Sequence, residues 1–260
     1  MDKQIVKIIK IGGNIIADEN KLPQFLLDFA SVKGPKVLVH GGGKLATDLA
    51  KKLGIESKMI EGRRITDAQN LEIITMVYGG LVNKKMVASL QNYGCNALGL
   101  SGADANIIKA HKRVVKDIDY GYAGDIDKVN AATLITFLNA GLTPVICPVT
   151  HNGKGQLLNT NADTMASEIA IALSQKYETQ LFYCFEKKGV LKDITDEDSV
   201  IESIDRETYN ELIRNQIIAD GMLPKLKNCF HALEHQVKTV FLGNEKMIVE
   251  ANPKATKLSL

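Results

Sequence analysis

Short apolar runs alternate along the chain with longer stretches whose apolar residues recur at helical spacing. Residues 5–11 and 37–39 are rich in β-branched side chains, as buried strands are, and residues 21–31 and 44–53 have helical periodicity. Further strands are predicted at 97–100, 143–147, 180–185 and 239–242, and further helices at 67–78, 82–93, 131–139, 206–215 and 224–235. Residues 157–163 are predicted to open one more helix, which carries Met165, Ile169 and Leu173. This alternation predicts an α/β fold with a mostly parallel central sheet that helices cover on both faces.

Turn-forming residues divide the remaining segments. Residues 57–66 and 107–119 are predicted to form β-hairpins, and Thr66 is predicted to cap the helix that follows the first of them. The loosest stretch is 150–155, with the sequence Thr-His-Asn-Gly-Lys-Gly. We therefore expect one continuous domain with two lobes, residues 1–150 and 151–260, that meet at this stretch.

The overall composition excludes several classes of partner. A net charge of +2 without charged blocks, together with the absence of Trp, argues against nucleic acid and against membrane surfaces. No apolar run is long enough to cross a bilayer, and the N-terminus does not resemble a signal peptide. The four cysteines are far apart and lack C-x-x-C spacing, which predicts free, mostly buried thiols in a cytoplasmic protein.

Two glycine turns follow the first two strands, at Gly12-Gly13 and at residues 41–43. Backbone N–H groups left bare at the start of a helix suit an anion such as phosphate, although a tight turn also requires glycine for its dihedral angles. Lys10 is the last residue on the apolar face that carries Val6 and Ile8. It is either a cation aimed at a ligand beyond the carboxyl ends of the strands or an edge lysine that reaches solvent. We favour the first role, a cation aimed at a ligand, because the two glycine turns can converge beside Lys10.

Two further polar residues lie at predicted helix starts. Thr160 and Asp163 have capping-box spacing, so Asp163 is either a helix cap or part of a site; two neighbouring asparagines make the helix start more polar than a cap requires. Lys225 lies at the start of the last helix, where the helix dipole opposes a cation by about 0.3–1 kcal/mol. A lysine kept at such a position suggests a strongly anionic ligand.

Five motifs occur along the chain in a fixed order, and together they resemble the amino acid kinase superfamily and, within it, the acetylglutamate kinases. They are Ile9-Lys10-Ile11-Gly12-Gly13, Val39-His40-Gly41-Gly42-Gly43, Gly62-Arg63-Arg64-Ile65-Thr66, Leu158-Asn159-Thr160-Asn161-Ala162-Asp163 and Asp220-Gly221-Met222-Leu223-Pro224-Lys225. The resemblance spans nearly the whole chain. It implies a three-layer α/β/α sandwich whose N-terminal lobe binds the amino-acid substrate and forms the dimer, while the C-terminal lobe binds ATP.

The resemblance also implies a reaction, transfer of the γ-phosphoryl group of ATP to the side-chain carboxylate of an N-acylglutamate in arginine biosynthesis. Lys10 and Lys225 would stabilise the transition state, and Asp163 would orient both. The implied substrate-binding residues are Gly42, Gly43, Arg64, Asn159 and Asn161. The implied nucleotide-binding residues are Gly12, Gly13, Glu186, Lys187, Lys188, Gly189, Val190, Leu191, Ile217, Ile218 and Ala219. No residue is assigned to a metal, because Mg²⁺ would be held largely by ATP oxygens.

Physical chemistry independently supports these roles. A carboxylate with a reference pKa of ~4.3 is already ionised at neutral pH, so its attack needs no general base. The obstacle is the repulsion between an anionic nucleophile and a polyphosphate, which calls for positioning and charge neutralisation. Asp163 is therefore expected to act as a counter-charge for two lysines and not as a base.

Three departures from the family pattern leave alternatives open. The family's Asp-Val-x-Gly turn is Glu186-Lys187-Lys188-Gly189 here, Ser-Gly-Lys-Asp-Gly is Ser101-Gly102-Ala103-Asp104-Ala105, and the tail has Ala255 where glycine usually precedes threonine. The acyl group is acetyl by family default, but succinyl would require only a roomier and more basic pocket. Other amino acid kinases, and a non-catalytic nucleotide sensor, are further alternatives. No helix precedes the first strand, which suggests an arginine-insensitive homodimer.

Overall fold

An eight-stranded sheet forms the centre of the computed structural model, which describes residues 3–60, 63–215, 217–218, 222–250 and 253–260. The strands are β1 (Ile5–Ile11), β2 (Lys36–His40), β3 (Met59–Ile60), β4 (Arg63–Arg64), β5 (Ala97–Leu100), β6 (Ile108–Lys112), β7 (Ala123–Val129), β8 (Thr143–Ile146), β9 (Val149–His151), β10 (Leu157–Thr160), β11 (Glu178–Cys184), β12 (Ser203–Ile204), β13 (Thr239–Gly243) and β14 (Thr256–Leu258). The helices are α1 (Gly13–Ala17), α2 (Lys21–Ser31), α3 (Gly43–Lys52), α4 (Ala68–Ile74), α5 (Asn83–Asn92), α6 (Ala131–Asn139), α7 (Ala162–Ser174), α8 (Arg206–Arg214) and α9 (Leu223–Glu234).

The strand order in the main sheet is β12-β14-β13-β11-β1-β2-β8-β5. Every pair in it is parallel except β13 with β14. The central position of β1, between β11 and β2, explains its nearly continuous apolar sequence, since it is covered on both faces. The predicted mostly parallel sheet is confirmed.

Side-chain alternation along β1 separates two apolar clusters, one on each face of the sheet. Val6 and Ile8 belong to the cluster that includes residues of α6, α7, α8 and α9. Ile9 and Ile11 belong to the cluster that includes residues of α1 to α5. Because side chains alternate with a period of two, Lys10 lies on the same face as Val6 and Ile8, the face covered by α7 and α9. Helices cover both faces of the sheet, so the predicted three-layer sandwich is confirmed.

A second, closed sheet of four strands has the order β10-β7-β6-β9. Its β10 pairs in parallel with β7, where Asn159 is the partner of Ala123. Residues 150–155, the predicted lobe boundary, fall at the hairpin by which β9 and β10 pair antiparallel. The division into two lobes stays a prediction, because this hairpin lies within one small sheet.

The predicted hairpin over 107–119 is wrong. The strands that pair are β6 and β7, so residues 113–122 form the connection. The connection is longer than the predicted hairpin allowed and ends in a turn, where Gly121 has a φ of +64° and its backbone N–H donates to the Asp119 side chain. The other hairpin is confirmed, since Met59–Ile60 pairs with Arg63–Arg64; its predicted bend at Gly62 lies outside the described residues.

The two helices predicted at 67–78 and 82–93 are one continuous helical stretch. A π-helical segment, Thr75–Val82, joins α4 to α5. The predicted cap at Thr66 is also wrong, because Asp67 caps α4 by accepting a hydrogen bond from the Asn70 backbone N–H at 2.8 Å. Thr66 instead exchanges backbone hydrogen bonds with residues 120 and 122, which holds it in an extended conformation.

Two short strands at the sheet edge, β12 and β14, have no signal in the hydrophobic periodicity because they are only two and three residues long. The tail is nevertheless integrated, since the Val190 backbone N–H donates to Thr256 Oγ1 at 2.8 Å.

All four cysteines are free and buried, as predicted, and burial raises the pKa of Cys147 to about 12. Among the described residues, none of the helices has the length and apolar character required to span a bilayer.

Candidate active site

Lys10 lies near the carboxyl end of β1, in register with Tyr183 of β11 and Val39 of β2. Its Nζ is 2.7 Å from Asp163 Oδ1, and the side chain is only 11% exposed. Asp163 is in the first turn of α7, on the face of the sheet to which β1 alternation directs Lys10. The first strand and the helix after β10 therefore meet at an ion pair.

Lys225 reaches the same carboxylate from α9. Its Nζ is 2.6 Å from Asp163 Oδ2, so two ammonium groups flank the two oxygens of one side chain. The exposed fractions are 13% for the Asp163 side chain and 27% for that of Lys225. We call Lys10, Asp163 and Lys225 the two-lysine site.

The charge state of Asp163 follows from two opposing effects. Burial alone would raise the pKa of this carboxyl, but the ammonium groups of Lys10 and Lys225 outweigh it and hold the pKa well below its usual range. The carboxylate is therefore ionised at any physiological pH. It can fix the two lysines in place but has no basicity to offer a reacting group.

The alternative role of Asp163 as a helix cap is wrong. Asn161 caps α7, because its Oδ1 accepts a hydrogen bond from the Thr164 backbone N–H at 3.0 Å. Thr160 does not form a capping box either, since its hydroxyl lies 2.8 Å from that of Thr150 inside the small sheet. The helix start thus leaves the Asp163 side chain free for the lysines.

A cavity of about 190 Å³ opens beside the glycine turn of residues 41–43. Its other lining residues are Met59, Arg63, Arg64, Tyr78, Arg113, Tyr120, Ala123, Gly124, Pro148, Asn159, Thr160, Asn161 and Ala162. The predicted substrate residues Gly42, Gly43, Arg64, Asn159 and Asn161 are all among them. The structure therefore brings the five together from three distant parts of the chain.

Hydrogen bonds fix the polar wall of this cavity. Arg64 is 7% exposed, and its Nη2 donates to Gly43 O at 3.0 Å and to Thr47 Oγ1 at 2.6 Å. Asn159 Nδ2 donates to Thr66 Oγ1 at 2.9 Å. Of the two adjacent arginines, Arg64 is the buried one and Arg63 is exposed. The guanidinium is held in place before any ligand arrives.

Gly42 has a close neighbour that the sequence did not reveal. A Cβ at residue 42 would lie 2.8 Å from Tyr78 Cδ1, and the φ of +156° is itself unusual for other residues. Tyr78 comes from the π-helical segment and is 5% exposed. Glycine is therefore required here so that the loop can pass the aromatic ring, and π-helical turns are frequent at functional sites.

His40 is hydrogen-bonded to the same glycine turn of residues 41–43. It is fully buried, its Nδ1 lies 2.8 Å from Gly41 O, and its Nε2 lies 3.0 Å from Asn83 Nδ2. Burial lowers the pKa of His40 to about 4, so the ring is neutral and donates through Nδ1. His40, like Tyr78, escaped sequence reasoning because its partners are distant in the chain.

Sequence reasoning also missed Arg113, which lies within the segment predicted as a hairpin at 107–119. Its Nε lies 3.1 Å from both carboxylate oxygens of Asp125, and its guanidinium lies 5.5 Å from the Tyr120 ring centroid. A second depression shares Arg63, Arg113 and Tyr120 with the cavity and extends outward past Lys116. The outer wall of the cavity is thus more basic than Arg64 alone would make it.

The predicted nucleotide residues lie at the carboxyl ends of β1 and β11. The Gly12 backbone N–H donates to Cys184 O at 3.1 Å, and a Cβ on Gly13 would meet no atom within 4 Å. After β11, Lys187 pairs with Glu197 at 2.7 Å and Lys188 pairs with Asp198 at 2.6 Å. These pairs are exposed, while Glu186 lines a separate depression beside α1.

The apolar residues predicted for the nucleotide differ in exposure. Val190 and Ile218 belong to one buried cluster, whereas Ile217 is 39% exposed. Leu191 forms a bridge with Val200. A Cβ on Gly189 would lie 2.7 Å from Thr256 Oγ1, so glycine permits the close approach of the tail. Ala219 lies outside the described residues, as do Asp220 and Gly221 of the last motif.

The described residues contain no group of three or more His, Cys, Asp or Glu side chains that could hold a metal ion. The donor set at the two-lysine site, one carboxylate already shared by two cations, also suits a metal poorly. A metal ion fits this site only if phosphate oxygens supply its ligands. The glycine turns and ammonium groups, by contrast, fit phosphate.

Two cations share one ionised carboxylate above the carboxyl ends of a parallel sheet, beside a cavity with a fixed arginine. This arrangement is chemically able to neutralise the charge of a phosphoryl group. Residues 6–244 match the model of the amino acid kinase family, and the chain belongs to that family.

Curated relatives extend over nearly the whole chain. It is 54% identical over 248 residues to the acetylglutamate kinase of Cytophaga hutchinsonii, with 95% of this chain and 94% of that protein covered. It is 36% identical over 249 residues to the acetylglutamate kinase of Methanopyrus kandleri, with 94% and 97% covered. The resemblance to acetylglutamate kinases is confirmed.

Solved structures support the fold alone. An N-acetylglutamate synthase from Neisseria gonorrhoeae, complexed with coenzyme A and N-acetyl-glutamate, has a TM-score of 0.83 at 22% identity; 98% of this chain and 59% of that chain are covered. Carbamate kinase from Giardia lamblia bound to AMP-PNP has a TM-score of 0.69 at 15% identity, with 99% and 98% covered. The shared architecture is the amino acid kinase fold.

Proposed function

We infer that this chain catalyses the ATP-dependent phosphorylation of the side-chain carboxylate of N-acetylglutamate, a step of arginine biosynthesis. Curated relatives named acetylglutamate kinase cover nearly its whole length at 52 to 54% identity. The observation that carries the inference is the two-lysine site, where Lys10 and Lys225 hold Asp163 at 2.7 and 2.6 Å. A nucleotide sensor without catalysis would have no use for two cations on one buried carboxylate.

The proposed mechanism relies on charge neutralisation. The attacking carboxylate is already ionised, so no residue has to remove a proton from it. Lys10 and Lys225 neutralise the charge on the phosphoryl group as it moves from the leaving oxygen to the carboxylate oxygen. Asp163 remains anionic and holds both lysines at the required spacing. Preorganised cations of this kind cost no rearrangement at the moment of reaction.

The cavity is proposed to bind the acylated amino acid. Arg64 suits the α-carboxylate, because a guanidinium has five N–H donors, and Gly43 and Thr47 are both contacted by its Nη2. Asn159 and Asn161 suit the acyl amide, and the N–H groups of Gly42 and Gly43 suit the reacting carboxylate. The presence of all five residues in the lining of one cavity supports these proposed assignments.

ATP is proposed to lie over the carboxyl ends of β1 and β11. Gly12 and Gly13 would approach its phosphates, and Glu186–Leu191 with Ile217–Ala219 would border the nucleoside. Val190 and Ile218 are buried, so they would contribute apolar walls and backbone groups. When bound, Mg²⁺ would shield the phosphate charges while ATP oxygens supply most of its ligands.

A cytoplasmic homodimer is proposed for the assembled protein. Met76 and Leu81, on the π-helical segment, are 54% and 49% exposed, with Gly79 and Gly80 between them. Small residues flanked by exposed apolar ones allow close approach of a second copy. Four free thiols are typical of a reducing compartment. Light scattering on purified protein would give about twice the monomer mass of 28.4 kDa if the proposal is right.

A second candidate substrate is N-succinylglutamate. Its extra carboxylate would need a cation at the acyl end, and Arg63 and Arg113 both line the cavity there. Its pair with Asp125 fixes the orientation of the Arg113 guanidinium, which could then contact the extra carboxylate of the succinyl group. The basic outer wall is the specific observation that favours this candidate.

Turnover with hydroxylamine tests both candidates, because acyl phosphates are trapped as hydroxamates. The protein is incubated with MgATP and acetylglutamate, succinylglutamate or unmodified glutamate. We expect hydroxamate from an N-acylated glutamate and none from glutamate. If succinylglutamate is the substrate, Arg113→Gln lowers kcat/KM for it about tenfold, the loss expected for one charge-assisted bond, while the remote control Arg214→Gln does not. Absence of product with both acylated substrates would refute the proposed activity.

A further inference from the structure

Two buried hydroxyl groups lie beneath the two-lysine site and are not explained by the chemistry above. Tyr183 of β11 is 1% exposed, and its hydroxyl donates to the backbone carbonyl of Asp163 at 2.9 Å. Ser167, one turn further along α7, is also 1% exposed, and its Oγ donates to Asn228 O of α9 at 3.3 Å. Each of these buried hydroxyls has a backbone carbonyl as its acceptor, so neither bears the cost of an unpaired buried donor.

These contacts join the same elements that carry the charged groups. Tyr183 is the register neighbour of Lys10 in the adjacent strand, so both side chains rise from one edge of the sheet toward α7. Lys10 reaches the carboxylate of Asp163, while Tyr183 reaches the backbone of the same residue. Asn228 lies three residues after Lys225 on the same helix, so the Ser167 contact fixes α9 against α7.

Burial raises the pKa of Tyr183 well above its usual value, so the phenol keeps its proton and donates a hydrogen bond to the Asp163 carbonyl. Its acceptor, the Asp163 carbonyl, already receives the Ser167 backbone N–H within α7. The phenol therefore adds a bond from the sheet to the first helical turn. No change of charge is involved, which separates this contact from the ion pairs above it.

We propose that Tyr183 and Ser167 form a brace of positioning residues that sets the height of α7 and α9 above the sheet, and so the spacing of Lys10 and Lys225 across Asp163. The inference rests on the proposed function for its kinetic consequence. Displacements well below 1 Å matter to such a site, because a 1 Å misplacement of reacting groups costs about 100-fold in rate.

The chain offers a matched control in Tyr177. This tyrosine is 4% exposed, belongs to the same apolar cluster, and its hydroxyl lies 3.4 Å from Asn139 Oδ1. It precedes Glu178, which is in register with Ile5 at the amino end of β1, the opposite edge from Lys10. Tyr177→Phe removes the same atom from the same core without touching the brace.

The experiment compares Tyr183→Phe, Ser167→Ala and Tyr177→Phe in the hydroxamate assay. We expect Tyr183→Phe to lower kcat about tenfold and Ser167→Ala about threefold, with both KM values within about twofold, because positioning and not ground-state binding is lost. Tyr177→Phe should retain wild-type kcat. Combining Tyr183→Phe with Lys225→Ala should cost less than the product of the two single losses, since only one cation is left to be spaced.

Deuterium exchange of the amides of residues 163–167 supplies a readout that needs no turnover. Tyr183→Phe should accelerate it and Tyr177→Phe should not. If the wild type lacked kinase activity, the proposed function would fail, while exchange would still report on the brace. Equal kcat for Tyr183→Phe and Tyr177→Phe would overturn the positioning role even if exchange changed. Unchanged exchange at residues 163–167, or fully multiplicative losses in the double variant, would also overturn it.

Discussion

The two ends of the site are built differently. At the cavity, Arg64 is buried and bonded to Gly43 and Thr47, and Asn159 is bonded to Thr66, so the polar groups are fixed from within. At the proposed nucleotide side, Lys187 and Lys188 are held only by exposed carboxylates. Exposed ion pairs contribute little to stability and exchange readily with water. The end proposed to bind the acylated amino acid is preorganised, while the end proposed to bind ATP keeps its cations on the surface.

The two-lysine site lies between these ends and shares features of both. Lys10 lies on a central strand, and its side chain is 11% exposed. Lys225 lies at the start of a helix, and its side chain is 27% exposed. Asp163 joins them. The first predictions therefore concern the residues on which both ends depend.

Removal of either lysine should give the largest effect. We expect Lys10→Ala and Lys225→Ala each to lower kcat by about 10²–10³, the loss that follows deletion of one transition-state donor. Each has a control on its own element: Lys7→Ala on β1 and Lys227→Ala on α9 should keep near-wild-type turnover. The hydroxamate assay measures all four. Wild-type kcat in Lys10→Ala or Lys225→Ala would remove that residue from the mechanism.

Asp163→Asn should affect turnover and stability together. Loss of the carboxylate leaves two ammonium groups facing each other at low exposure, which should lower the free energy of unfolding by about 3 kcal/mol and kcat by at least tenfold. Because the folded-state pKa of Asp163 is lowered, its stabilisation is fully present above its unfolded pKa of ~3.9 and is lost as the pH falls through the lower folded value.

Urea unfolding of Asp163→Asn and wild type at several pH values checks this sign. The difference between them should be largest near neutral pH and shrink only in strong acid. Asp28→Asn, at an exposed carboxylate that accepts from Gln24, is the control and should change little at any pH. A difference that grew as the pH fell would contradict the assigned electrostatics.

Lys10 and Lys225 are also the site residues that local sequence patterns predict most directly. Period-two alternation placed Lys10 on the correct face, because a strand in the middle of a sheet obeys that period strictly. Lys225 was noticed because a cation at a helix start opposes the dipole. Such signals are local: each depends on residues that are adjacent or one helical turn away.

The rest of the cavity depends on contacts between distant segments. Tyr78 contacts Gly42 from a π-helical segment, whose spacing breaks the helical period by which helices are predicted. Arg113 lies in the segment predicted as a hairpin at 107–119, whereas residues 113–122 form the connection between β6 and β7. Strands β12 and β14 are too short to show a period. Local pattern therefore predicts the charged groups of the two-lysine site better than it predicts the residues that line the cavity.

Lys187 and Lys188 test whether the exposed cations of the nucleotide side participate at all. If they contact ATP, Lys187→Ala and Lys188→Ala should each raise KM for ATP about threefold without changing kcat, as expected of a screened surface charge. The unfolding temperature should stay unchanged, because both lysines form only surface pairs. Steady-state kinetics with varied ATP measures the effect.

Lys192→Ala is the matched control, an exposed lysine of the same loop without an ion pair among the described residues. It should leave KM for ATP unchanged. Equal KM values in Lys187→Ala, Lys188→Ala and Lys192→Ala would mean that the two lysines serve only to tie the loop to Glu197 and Asp198. The proposed nucleotide contact would then have to come from the backbone of residues 186–191.

The smallest effect is expected at the loop of residues 101–105, a departure from the family pattern that lies outside the cavity lining. Ala105 has a φ of +50°, a left-handed conformation that costs a residue with a Cβ about 1–2 kcal/mol, while glycine loses about 0.5–1 kcal/mol of chain entropy. Ala105→Gly should therefore stabilise the protein by about 0.5 kcal/mol in urea unfolding. Ala103→Gly, at a φ of −74°, should destabilise it instead. Because this departure touches neither the cavity nor the two-lysine site, kcat and both KM values should not change; a kinetic effect of Ala105→Gly would mean that the substrate side extends further than its lining residues indicate.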